Sequence, residues 1–69
     1  SGGTIDITGW EVGETITVTA NRAVTPVATQ INGNLVRVRL GSFALQVSGP
    51  NGGSVNAADV MAGLTVQVA

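Results

Sequence analysis

The chain has 69 residues, with no cysteine and no histidine, and its formal net charge is −1. Apolar residues make up 43% of it and charged residues only 10%, well below the roughly one quarter usual in soluble domains. A chain of this length buries a small core, and with no disulfide or zinc site to support it, association with other chains is the remaining source of stability. Three Arg and no Lys against four acidic residues leave no basic patch, so we expect neither a nucleic-acid partner nor a membrane partner.

Two stretches near the start of the chain alternate polar and apolar residues, which is the pattern of half-buried strands. The first runs from Thr4 to Thr8, and we predict that Ile5 and Ile7 face inward. The second runs from Glu14 to Ala20. Its predicted inward positions are Ile16, Val18 and Ala20.

The middle of the chain, residues 24–47, predicts a three-stranded antiparallel meander with turns at Asn32-Gly33 and Gly41-Ser42. Folding at these turns builds an apolar inner face from Thr25, Val27 and Thr29, then Val36, Val38 and Leu40, then Phe43, Leu45 and Val47. The other face would carry Pro26, Ala28, Gln30, Leu35, Arg37, Arg39, Ala44 and Gln46. Because proline cannot donate to a ladder, the strand near Pro26 should be an edge strand, be bulged, or begin after the proline.

The last third of the chain predicts a loop, a helical turn and a closing strand. Ser48 to Gly53 is rich in turn formers and predicts a flexible loop. Asn56 as N-cap, Asp59 in the first turn and a glycine at position 63 predict one or two helical turns over residues 57–62. Leu64 to Val68 predicts the final strand, with Leu64, Val66 and Val68 inward.

Together these elements predict an all-β fold: a small antiparallel β-sandwich or closed barrel of about six strands, with one helical turn near 57–62. We predict a single β-domain over residues 1–69, of which residues 1–3 are disordered or a remnant of processing or cloning. The inner face of the meander needs a cover, which the first two strands and the last strand can supply.

Residues suited to catalysis or metal binding are few. With no His, Cys, Lys or Tyr, the titratable side chains other than arginine are Asp6, Glu11, Glu14 and Asp59. The serines have no imidazole or amine to activate them, and the spacing of the carboxylates matches no calcium loop. We therefore predict that the protein is not an enzyme and holds neither a metal nor a cofactor.

Two further patterns are candidate contacts. Trp10, the single tryptophan, could stack on a sugar ring, although a plug at one end of the core is the simpler interpretation. Leu35, Arg37 and Arg39 share one face of a strand, and Ala28 lies across the hairpin on the same face in the predicted register. A patch that mixes apolar residues with arginine suits a protein partner.

The stretch from Ile7 to Thr19, ITGWEVGETITVT, resembles the start of bacterial and phage immunoglobulin-like modules, in which a G-x-x-x-G-x-T-x-T-V-T rhythm joins the first two strands. The stretch from Asp59 to Val66, DVMAGLTV, is similar to the crossover before a late strand of such modules. The chain is shorter than a complete seven-stranded module, so a reduced sandwich and a small barrel both stay open.

The resemblance implies a structural module of an extracellular, cell-surface or virion structure, such as a capsid decoration, a phage fibre or tail component, or a bacterial surface domain. Composition agrees, because a weakly charged surface resists aggregation poorly unless part of it is covered. We therefore predict a homo-oligomer or a part of a larger assembly that acts through protein contacts. The alternative prediction is a small carbohydrate-binding module that uses Trp10.

Overall fold

The computed structural model describes residues 3–69, so the prediction for Ser1 and Gly2 lies outside the described residues. Those 67 positions form six strands, a 3₁₀ turn and one short α-helix. In chain order they are β1 (Thr4–Ile7), β2 (Ile16–Ala20), β3 (Val27–Asn32), β4 (Leu35–Leu40), β5 (Phe43–Ser48), the 3₁₀ turn (Pro50–Gly52), α1 (Ala57–Ala62) and β6 (Leu64–Val68). The predicted β-rich fold, the count of about six strands and the helical turn are confirmed.

The strands form two sheets. One is four-stranded in the order β1-β5-β4-β3, and the other pairs β2 with β6. β3, β4 and β5 form the predicted antiparallel meander, whereas β1 pairs with β5 and β2 pairs with β6 in parallel. Two parallel strands need a long connection between them. The segments that connect β1 with β5 and β2 with β6 each span about half of the chain or more. The prediction of a wholly antiparallel fold is therefore wrong, and the described strands form no closed barrel.

The hairpin of β4 and β5 has the predicted register. Val36 lies opposite Val47, Val38 opposite Leu45, and Leu40 opposite Phe43. All of these side chains except that of Phe43 are buried. Gly41, at the first position of the turn, has a φ of 65°. A type II′ hairpin turn requires this left-handed value, and glycine adopts it without a steric penalty.

The turn between β3 and β4 is Gly33-Asn34 rather than Asn32-Gly33. Oδ1 of Asn32 accepts a hydrogen bond from the Asn34 N–H at 3.0 Å, which closes a local Asx turn. Moving the turn by one residue shifts the register by two positions and leaves the faces of β3 unchanged. A bulge between Gln30 and Asn32 then adds one residue to β3.

That single added residue exchanges the two faces of β3, because side chains alternate with a period of two. Ala28 lies opposite Val38 and packs on the core, whereas Val27 lies opposite Arg39. The prediction that Val27 and Thr29 face inward is therefore wrong. β3 begins after Pro26 and is an edge strand, which are two of the outcomes expected near the proline, whereas its bulge lies further along, between Gln30 and Asn32.

The core lies against the inner face of the four-stranded sheet. Its buried side chains are Trp10, Val36, Val38, Leu40, Leu45, Val47, Val55 and Val60. The two-stranded sheet packs against this cluster through Ile16, Val18, Leu64 and Val66, and β1 packs through Ile7. Ile5 and Val68, both predicted inward, are 53% and 58% exposed. Ile5 lines an open groove beside β2, and Val68 lies at the last position of β6.

The helix α1 begins and ends where predicted. Oδ1 of Asn56 accepts from the Ala58 N–H at 2.8 Å, and Asp59 lies in the first turn. Gly63 follows the helix and accepts a hydrogen bond from the Ile16 N–H at 2.9 Å. A Cβ atom at position 63 would collide with the backbone carbonyl of Glu14. Glycine therefore allows the end of the helix to pass close to the start of β2.

Candidate functional site

The predicted protein-contact residues of β4 lie on the outer face of the four-stranded sheet, the face turned away from the core. Leu35, Arg37 and Arg39 alternate along β4 with the buried core residues of the same strand. Arg39 is exposed, and Leu35 and Arg37 are half-buried. Ala28, predicted to share this face, packs on the core instead because of the bulge in β3. The structure thus brings three of the four predicted contact residues together.

The neighbours of the two arginines come from the strands on either side. Arg37 lies between Thr29 of β3 and Gln46 of β5. Arg39 lies between Val27 and Ala44 in the same way. The outer face therefore has a positive centre, with the large apolar side chains of Val27 and Leu35 on the same face.

Within residues 3–69, four of the five exposed large apolar side chains lie on edge strands of the two sheets, and the fifth, Val12, lies in the turn before β2. Those of Ile5, Val27, Ile31 and Val68 are 53%, 58%, 42% and 58% exposed. Each lies on β1, β3 or β6, and within residues 3–69 these strands have a neighbour on one side only. Edge strands of soluble proteins usually carry charges or proline that discourage pairing with another chain. β3 follows Pro26 and is bulged but carries no charge, and β1 carries Asp6, so these edges are only partly protected in this way.

β3 is the clearest case, because it has six residues, VATQIN, and none of them is charged. Five of the six are exposed, Ala28 being the exception. A strand edge presents a row of backbone N–H and C=O groups that another strand can pair with. We define this surface, the unpaired side of Val27–Asn32, as the β3 edge.

The side chain of Gln30 holds the β3 edge in place. Its Nε2 donates to the carbonyls of Asn32 at 2.6 Å and Val55 at 2.8 Å, and its Oε1 accepts from the Ala57 N–H at 2.8 Å. The Val55 N–H donates in turn to the carbonyl of Gly33 at 3.1 Å. Sequence reasoning placed Gln30 on the solvent face and missed this role, since its partners Val55 and Ala57 lie 25 and 27 positions away.

An open cavity of about 600 Å³ lies beside Trp10, with Glu11, Asn56 and Asp59 in its wall. The Trp10 side chain is only 4% exposed and belongs to the core cluster, as the plug interpretation predicts. Its Nε1 is buried, with no hydrogen-bond partner among the described residues. Its backbone N–H donates to the carbonyl of Ser48 at 3.0 Å. The ring therefore presents little surface on which a sugar could stack.

A second opening is an apolar groove of about 300 Å³ between β1 and β2. Its walls include Ile5 and Ile7 of β1 and Ile16 and Val18 of β2. The groove exists because these two strands belong to different sheets and do not pair with each other.

The carboxylates are dispersed. Glu14 Oε1 accepts from the Glu11 N–H at 2.6 Å, which stabilises the turn before β2. Within residues 3–69, no three His, Cys, Asp or Glu side chains are close enough together to hold a metal ion. The helices of that part of the chain include none long and apolar enough to cross a membrane.

The fold defines a small β-rich domain whose edge strands carry exposed apolar side chains. Comparisons with protein-family models, curated proteins and solved structures find no match to this chain.

Proposed function

We propose that this chain is a non-enzymatic structural module that assembles through its sheet edges, with copies of itself or with a larger subunit. The observation that carries the proposal is the position of Ile5, Val27, Ile31 and Val68, which are all exposed and all on edge strands. Addition of a strand at such an edge pairs the free backbone groups and covers these side chains at the same time.

Rough magnitudes indicate how strong such an association would be. Full burial of a Val or Ile side chain contributes about 1.5–3 kcal/mol, so covering the roughly half-exposed side chains recovers about 1 kcal/mol each. Association costs at least about 4 kcal/mol in lost translational and rotational freedom. Side-chain burial thus only offsets the lower estimates of that cost. Backbone hydrogen bonds must supply the remainder, and association should depend strongly on concentration.

The proposal includes an architecture and a setting. Ile16, Val18, Leu64 and Val66 pack the two-stranded sheet against the core of the larger one, which supports a reduced β-sandwich. The resemblance to bacterial and phage immunoglobulin-like modules supports an extracellular, cell-surface or virion setting. Capsid decoration, phage fibre or tail component, and bacterial surface domain are the forms we propose.

Sedimentation equilibrium over a protein concentration range of about a hundredfold tests self-association, because mass action makes an oligomer dissociate on dilution. Circular dichroism of the same samples reports whether the dissociated chain stays folded. We expect a mass above that of the monomer at high concentration and a fall towards the monomer on dilution. A folded monomer at every concentration would contradict self-association and leave docking to a larger subunit as the only form of the proposal.

The cavity beside Trp10 favours a second candidate, the carbohydrate-binding module. Glu11, Asn56 and Asp59 offer carboxylate and amide groups to sugar hydroxyls. We place it second because the Trp10 ring is buried. Titration of the tryptophan fluorescence with a glycan panel tests it, with Asp59→Asn as the matched variant. A saturable change that the variant weakens supports sugar binding, and no change across the panel rejects it.

A further inference from the structure

We propose that β3 pairs with β3 of a second copy, antiparallel and centred on Thr29, which joins two four-stranded sheets into one continuous sheet of eight strands. The inference rests on the proposed function, because it names the partner and the surface for self-association. Its occupant is a second copy of this chain, and the contact is the β3 edge.

The sequence of β3 is self-complementary in this register. Thr29 lies opposite its own copy at the two-fold axis, and Val27 lies opposite Ile31 of the second copy on both sides of it. These two apolar side chains are exposed in the single chain, and cross-strand apolar pairs are among the contacts that stabilise sheets. Ile31 lies at the bulge and has no partner residue on β4, so the strand bends at this end of the proposed pairing.

The distribution of charge also allows a second copy to pair here. β3 carries no charge, so a neutral strand suits it and like charges do not meet at the contact. The nearest charged side chains, Arg37 and Arg39, lie one strand away on β4. In the pair, each β4 lies three strand spacings from its copy, about 14 Å. This exceeds the screening length of about 8 Å at physiological salt, so the arginines of the two copies repel only weakly.

The other edges fit self-pairing less well. β1 has four residues, and Asp6 is one of them. β2 carries none of the large exposed apolar side chains, and β6 carries only Val68. In the described part of the chain, β3 is the longest edge strand and the one that carries two such side chains.

A charge-exchange experiment at Thr29 tests the inference. Thr29→Glu and Thr29→Lys each place like charges opposite each other at the two-fold axis, and we expect each to raise the dimer dissociation constant at least about tenfold. An equimolar mixture should restore the dimer, because unlike charges then meet. The carboxylate that Thr29→Glu introduces lies opposite Arg37 of the same chain. Because these charges attract, this variant should stay folded even if Thr29→Lys unfolds. Sedimentation velocity gives the masses, and circular dichroism checks the fold.

Thr65→Glu and Thr65→Lys are the matched controls, since Thr65 is an exposed residue of β6, a strand outside the proposed contact. They should leave the dimer intact. Dimers that survive Thr29→Glu, or a mixture that associates no better than its components, would overturn the inference. Dissociation by the Thr65 variants alone would overturn it too, while leaving self-association standing. A wild-type chain that is monomeric at every concentration would contradict both the inference and the self-association from which it follows.

Discussion

Gln30 Nε2 donates a hydrogen bond to the backbone carbonyl of Val55 at 2.8 Å, across 25 positions of sequence. The bond links an edge strand to the segment that precedes α1. Because Val55 is itself a core residue, the position of the β3 edge is tied directly to the packing of the core.

Gln30→Leu should destabilise the fold by about 1–2 kcal/mol, because the Val55 carbonyl loses a part-buried hydrogen bond and the Ala57 N–H loses an exposed one. Urea denaturation followed by circular dichroism measures the free energy of unfolding. Gln67→Leu, at an exposed position of β6, is the control and should change it little. Equal losses in the two variants would contradict the role given to Gln30.

Leu45→Ala should cost about 2–5 kcal/mol, because it leaves a cavity where the β4–β5 hairpin supplies the core. Leu45 is 2% exposed and lies opposite Val38. Val12→Ala is the matched control, since Val12 is 74% exposed, and it should change stability by no more than about 0.5 kcal/mol. Thermal unfolding of both variants checks the difference, and a core variant as stable as the surface one would refute this packing.

Gly63→Ala should destabilise the chain by about 1–3 kcal/mol, because the new methyl group meets the Glu14 carbonyl, a backbone atom that cannot rotate away. Gly33→Ala is the control, because a Cβ atom there meets nothing within 4 Å. Chemical denaturation should show that the Gly33 variant stays close to wild type. If the Gly63 variant were as stable, the close approach of the helix end to β2 would be wrong.

The local sequence pattern is sufficient to predict the structure where one turn joins two regular strands. The β4–β5 register follows from alternation and from the glycine at position 41, and the bounds of α1 follow from Asn56 and Gly63. Both features depend on residues within a few positions of one another. They can therefore be predicted without knowledge of the rest of the chain.

The faces of β3 could not be predicted in this way, because one added residue decides them. The Asx turn at Asn32 replaced the expected Asn-Gly turn, and the bulge at Ile31 then exchanged the two faces. Val27 is more apolar than Ala28, so the sequence pattern favours the wrong face. In the observed orientation of β3, Gln30 makes its long-range hydrogen bonds and Ala28 packs on the core.

The parallel pairs β1–β5 and β2–β6 depend on contacts between distant parts of the chain, which alternation does not encode. The same limit applies to the candidate site. Arg37 and Arg39 were placed on the correct face, because β4 is regular. The β3 edge became visible only when the sheet order showed which strands lack a second neighbour.

Amide hydrogen exchange of the wild-type chain at high and low protein concentration tests the central claim most directly. If β3 pairs with its copy, those amides of Val27–Asn32 that point away from β4 should exchange slowly in concentrated protein and lose this protection on dilution. Amides of β5, which is paired on both sides within the chain, should exchange equally at both concentrations. Exchange in β3 that does not change with concentration would contradict assembly through the β3 edge.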